Sequence, residues 1–108
     1  MTYRSDDAPY FEVTSPLGKR IRTTQEYWRK VVGTKHPRMR GREQDVRQAI
    51  ERPDEIRRSK TDPEVYLYYR KSDTLYTVAV VKHLNDEGFL ITTYVTDVVK
   101  IGEVIWTR

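Results

Sequence analysis

Three runs of strand-forming residues in the second half of the chain limit what it can fold into. Residues 65–70 read VYLYYR, residues 75–83 LYTVAVVKH and residues 89–95 FLITTYV. β-Branched and aromatic side chains suit a pleated, half-buried surface, so each run predicts a strand. Lys71-Ser72-Asp73 separates the first two runs and Asn85-Asp86-Glu87-Gly88 the last two; both are turn sequences. Strands joined by tight turns pair antiparallel, so this half predicts a meander. From Tyr76 to Val81 the apolar character is almost unbroken, which predicts burial on both faces or nearly so. Residues 55–59 add a short first strand, and Val104-Ile105-Trp106 adds a closing strand or a plug.

The first half has a different texture. Residues 11–14 and 19–22 alternate apolar and polar around Pro16-Leu17-Gly18, which predicts a small hairpin with a basic, solvated second strand. Thr23-Thr24-Gln25-Glu26 has the capping-box pattern that opens a helix. Tyr27, Trp28, Val31 and Val32 form its core face, and Gly33 suits the left-handed position that ends it. Pro37 bars His36 from helical geometry and places it in the connection. A second helix is predicted over residues 40–52, with Met39, Val46, Ala49 and Ile50 as its buried stripe. Glu43 would pair with Arg47 and Arg47 with Glu51, and Pro53 stops the helix. Together these elements predict an α+β fold. Two N-terminal helices, with a small leading hairpin, pack on one face of a roughly four-stranded antiparallel sheet. At 108 residues the chain suits one domain, 1–108, with residues 1–8 as a flexible start.

Charge concentrates where the two halves meet. Between Lys35 and Lys60 stand nine Lys/Arg against five Asp/Glu, and the rest of the chain nearly cancels. The formal net charge of +4 permits an anionic partner without requiring one. Cysteine is absent, which excludes disulfides, thiolate metal sites and cysteine nucleophiles. No Gly-rich phosphate loop, His-x-His pattern or two-carboxylate pattern is present, so neither a metal nor another cofactor is expected. No apolar run approaches the ~20 residues of a membrane span, and the polar start does not resemble a signal peptide. A soluble cytoplasmic protein with no membrane association is expected.

A histidine among arginines suits work on a polyanion. RNA is cleaved without a metal when a base takes the 2′-hydroxyl proton, an acid protonates the leaving 5′-oxygen, and cations steady the phosphorane charge. His36 is the candidate acid or base, because a histidine changes charge near neutral pH. Lys82, Thr92 and Tyr94 complete a candidate catalytic set if the fold gathers them. Alternation places Thr92 and Tyr94 on one face of their strand and Thr93 on the other with Phe89 and Ile91. Arg40, Arg47 and Arg57 are candidate nucleic-acid contacts. The same residues also read as ordinary structure: a histidine before proline as a surface or helix-entry residue, spaced arginines as a solvated face, Lys82 as a strand-end charge. His83 reads as structural or exposed.

Taken in order, KHPRMRGREQDVRQAIERPDEIRRS, VYLYYR, YTVAVVK and GFLITTYVTDVVKIGEVIW resemble the phage-type branch of the barnase–EndoU–colicin–RelE-like nuclease-fold superfamily over residues 28–106. The resemblance lies in the order and pattern of elements. It implies a helical N-terminal part on a four-stranded antiparallel sheet. It also implies a site combining His36 with Arg70, Lys82, Thr92 and Tyr94, with Arg70 and Lys82 on phosphate. The function so implied is a metal-independent endoribonuclease or toxin-like RNase domain acting on RNA, in company with an antitoxin or other protein partner. The alternative is a non-catalytic RNA- or protein-binding module on the same fold.

Overall fold

The computed structural model describes residues 9–99 and 102–108; the expected flexible start, residues 1–8, lies outside them. The meander is present and longer than its apolar runs. β4 (Val65–Ser72), β5 (Leu75–Leu84) and β6 (Glu87–Thr96) pair antiparallel through two-residue turns. Lys71 and Ser72 belong to β4, so the first turn falls one step later, at Asp73-Thr74. Asp73 and Asn85 take the left-handed φ values (57° and 53°) that such turns demand. β3 (Glu55–Arg58) pairs with β4 on one side and with β7 (Glu103–Thr107) on the other, so the C-terminal run is a strand.

The expected four-stranded antiparallel sheet is corrected to a seven-stranded mixed sheet, ordered β1-β2-β6-β5-β4-β3-β7. The leading hairpin, β1 (Phe11–Thr14) and β2 (Arg20–Thr23), does not stand apart from it. β2 docks parallel onto the first three residues of β6, in the register Arg20↔Glu87, Ile21↔Gly88 and Arg22↔Phe89. Gly88 makes this approach possible: a Cβ there would lie 2.8 Å from the Ile21 side chain and 2.7 Å from the Lys82 carbonyl oxygen. Ile21 is wholly buried by the docking, which stabilises by about 2 kcal/mol. Arg20 and Arg22 both reach Glu87 at 3.4 Å. The alternation of β2 is legible in the sequence, but not its partner 67 positions along the chain.

The helical part is shorter and less regular than predicted. α1 (Gln25–Lys30) is capped by Thr24, whose hydroxyl accepts from the Tyr27 amide at 3.1 Å, so the cap falls one residue later than the capping-box reading. Gly33 does not end the helix in a left-handed conformation. The chain widens into a π-helical turn, Val31–Lys35, closed by the His36 amide donating to Val31 five residues back. A 3-10 turn follows at Pro37–Met39, and Gly41, at φ 80°, breaks the path that an unbroken helix from Arg40 would have taken. α2 therefore spans Glu43–Glu51. The predicted stripe of Met39, Val46, Ala49 and Ile50 is fully buried against the inner sheet face, among Ile56, Tyr68, Ala79, Val81 and Leu90. Glu43 accepts from the Tyr10 hydroxyl and Arg47 lies over the Phe11 ring, so these residues tie α2 to β1.

Opposite the helices, Leu67, Tyr69 and Val78 form a smaller cluster with half-buried Tyr76, Val80, Tyr94 and Val99. A bulge sets which β6 residues join it. Val80 pairs with Thr92 and Val81 with Leu90, leaving Ile91 as the extra residue. Thr92 and Tyr94 share the outer face as predicted, with Thr93 on the other. Phe89 does not accompany Thr93, because the bulge reverses the alternation between them. Among the described residues no helix is long and apolar enough to cross a membrane.

His83 is a buried structural residue, stacked on Tyr66 at 3.9 Å with Nε2 2.9 Å from the Tyr68 hydroxyl. Burial pushes Tyr68 up to about 12, so the phenol stays protonated beside the imidazole. Burial, aided by Lys19, holds His83 down at about 4 against an ordinary 6.5. The unfolded chain therefore binds the proton first as pH falls. Stability from His83 is whole above about pH 6.5 and is lost toward pH 4, by up to roughly 3 kcal/mol. Urea titrations between pH 7 and 4 should show this loss. His83→Phe should start about 1 kcal/mol lower, because Tyr68 loses its hydrogen-bond partner, yet show a flatter dependence. An unchanged slope in the variant would remove His83 as its source. Gly88→Ala should lower stability by about 1–3 kcal/mol in a thermal melt, since backbone faces the added methyl; a neutral result would mean that the β2–β6 contact is loose.

Candidate functional site

β2 covers only the first three residues of β6, and on that side the described residues place no strand beside the rest. The helical connection takes the space. The Tyr27 hydroxyl donates to the Ile91 carbonyl at 2.7 Å, and the 3-10 turn packs against β6. The π turn and Pro37 then set His36 at φ −138° and ψ 74°, with its ring 5.7 Å from that of Tyr94 and tilted by 33°. Two residues 58 positions apart in the chain thus meet.

They stand at one end of an open cleft of about 630 Å³. Thr92 and Tyr94 of β6, Val80 of β5, and Val65 and Leu67 of β4 line its floor across three strands. Ser59, Lys60 and Thr61, from the loop after β3, complete the lining. The loop is shaped by its own hydroxyls: Ser59 Oγ lies 3.1 Å from Thr61 Oγ1 and accepts from the Thr61 amide. Lys60 is exposed, with no ion-pair partner among the described residues.

The hydroxyls on the floor differ in state. Burial, and secondarily the neighbouring Tyr69, pushes Tyr94 up to about 12, so at neutral pH it keeps its proton and is a hydrogen-bond donor. The Thr92 hydroxyl oxygen is buried with no hydrogen-bond partner among the described residues. Thr93, facing the other way, donates to the Val78 carbonyl at 2.7 Å. An apolar floor, an aromatic pair, a lysine and several hydroxyls suit a flat ring carrying an anionic group.

Of the predicted catalytic residues, His36, Thr92 and Tyr94 come together. Lys82 lies on the same sheet face, two residues beyond Val80, but outside the lining; its ammonium sits 3.6 Å from Glu64. The predicted nucleic-acid contacts lie elsewhere. Arg40 ends the 3-10 turn, exposed. Arg47 is on the helix layer over Phe11. Arg57 is tied to Glu55 at 2.7 Å and to the Gly102 carbonyl at 3.3 Å. Arg70 donates to the Arg52 carbonyl at 2.7 Å, on the inner side of the sheet. The reading from sequence missed Ser59, Lys60 and Thr61. Their signal was a lysine between two hydroxyl residues in a polar loop, and it was counted only as charge. Among the described residues no group of three His, Cys, Asp or Glu is placed to hold a metal ion. Comparison with family models, curated proteins and solved structures finds no match to this chain.

Replacing Thr92 by Val removes a buried, unpartnered hydroxyl at nearly constant shape, so chemical denaturation should show stability unchanged or raised by up to ~1 kcal/mol. Thr93→Val removes a satisfied donor and should cost about 1 kcal/mol. If both variants lose equally, Thr92 has a partner within the folded protein.

Proposed function

We propose that this protein is a metal-independent endoribonuclease of the barnase–EndoU–colicin–RelE-like kind, with the His36 cleft as its active site. The observation carrying this reading is the meeting of His36 with Thr92, Tyr94 and Lys60 in one cleft, from three separate parts of the chain. A nucleobase lies on the apolar floor beside the His36–Tyr94 pair. His36 takes the proton from the 2′-hydroxyl as that oxygen attacks phosphorus, or returns one to the departing 5′-oxygen. The products are a 2′,3′-cyclic phosphate and a 5′-hydroxyl. Tyr94 and Thr92, whose hydroxyls are buried, shape the floor that orients the base and its ribose, and Lys60 steadies the phosphate charge. Lys82 lies outside the lining and assists from the rim. The protein acts in the cytoplasm, with an antitoxin or other protein partner.

A second reading, a non-catalytic RNA- or protein-binding module, draws on the position of Lys82, which leaves one expected cation outside the cleft lining. Incubation of the purified protein with RNA and EDTA between roughly pH 5 and 8 separates the two. Cleavage that falls by roughly a hundredfold or more in His36→Ala is the expected result. Salt-sensitive binding that leaves RNA intact across this range favours the binding module. Cleavage undiminished in His36→Ala retains the class but removes this mechanism.

A further inference from the structure

His36 and Arg38 are two residues apart, yet they line clefts on opposite faces of the sheet. Thr92 and Tyr94 belong to the outer face, whereas Thr77 and Val95, paired across β5 and β6, turn inward. Arg38, Arg42 and the turn from Ser72 to Leu75 close over Thr77 and Val95 in a cleft of about 290 Å³. A second cleft of about 160 Å³ adjoins it, where Arg42 and Thr77 meet Arg70 and Lys71. The short connection through Pro37 bridges the two faces over the part of β6 that β2 leaves open.

Three arginines line these adjoining clefts against two acids, Asp45 and Asp73, while the Lys71 ammonium lies over the Tyr76 ring on the opposite face. Asp45 pairs with Arg42 at 3.4 Å, a contact half exposed on both sides and therefore weak. Arg70 is held by the Arg52 carbonyl, which fixes its guanidinium without cancelling its charge. Arg38 is exposed, with no ion-pair partner among the described residues. Three arginines in adjoining clefts, with Ser72, Thr74 and Thr77 beside them, match the repeated charges of a nucleic-acid backbone better than a single anion.

We propose that Arg38, Arg42 and Arg70 form a phosphate-backbone subsite, and that single-stranded RNA held in the His36 cleft passes over the Pro37 connection at the edge of β6 into it. This rests on the reading of the His36 cleft as an RNA site but is separate from cleavage. The subsite takes no part in proton transfer. It adds affinity for strands long enough to reach it, and its contribution weakens with salt.

The test uses 2′-O-methyl RNA, which keeps the phosphates but lacks the attacking hydroxyl, as an octamer and as a dinucleotide. In the variant carrying Arg38→Gln and Arg42→Gln, both at exposed positions, octamer affinity at 0.1 M salt should drop by roughly tenfold. Two lost phosphate contacts should lower the salt slope by about 1.4 on the single-strand scale. Dinucleotide affinity should be unchanged, as should the melting temperature; Arg42→Gln alone should show the same effects in smaller measure. Octamer affinity and salt slope equal to wild type, or no octamer binding by the wild type at 50 mM salt, would overturn the subsite. RNA cleavage in EDTA that survives alongside either result would leave the nuclease reading standing while the subsite falls. Octamer binding weakened in the double variant, with no cleavage by any protein, would leave the subsite standing while the nuclease reading falls.

Discussion

The cleft depends on one extra residue in β6. Strict alternation from Leu90, which is buried against the helices, would turn Thr92 and Tyr94 inward as well. Ile91 is inserted opposite no partner, and beyond it the alternation is reversed. Thr93 goes inward to the Val78 carbonyl, and Thr92 and Tyr94 go outward to meet His36. A bulge of this kind serves to re-aim side chains. The neighbouring strands supply only the floor on which the re-aimed residues stand.

A second constraint is how little of β6 the leading hairpin covers. Had β2 been longer, or had a larger residue than Gly88 displaced it, the hairpin and the helical connection would compete for the same edge. With three residues paired, the rest of the edge is left to α1 and the turns that follow. The basic stretch then divides. His36 faces one side of the sheet, Arg38 and Arg42 the other, and Arg40 lies exposed between them.

Local signals and packing patterns were legible in the sequence; long-range registers were not. The turn residues and apolar runs located β4, β5 and β6, because hairpin geometry is set within a few residues. The stripe of Met39, Val46, Ala49 and Ile50 was correct even though the backbone beneath it changes at Gly41, since burial selects faces and tolerates irregular paths. Nothing near Ile21 announces that it lies beside Gly88, and composition does not record whether two strands run parallel. For the site, His36, Thr92 and Tyr94 were named from residue chemistry and strand parity. Lys60 was overlooked because its relation to them exists only across four strands. Arg47 and Arg57 were counted for their charge, but cation–π and ion-pair contacts hold them to the scaffold.

The π turn at Val31–Lys35 gives the histidine its position by chain length alone. An α-helical turn closes four residues back, whereas this one closes five back, so it feeds an additional residue into the path before Pro37. Gly33 has open space where a Cβ would stand, and Thr34 is exposed with its hydroxyl turned back to the Lys30 carbonyl. The identities of these two residues are therefore nearly free, while their number is not. The segment is a spacer: its tolerance of substitution and its intolerance of deletion are the same property seen from two sides.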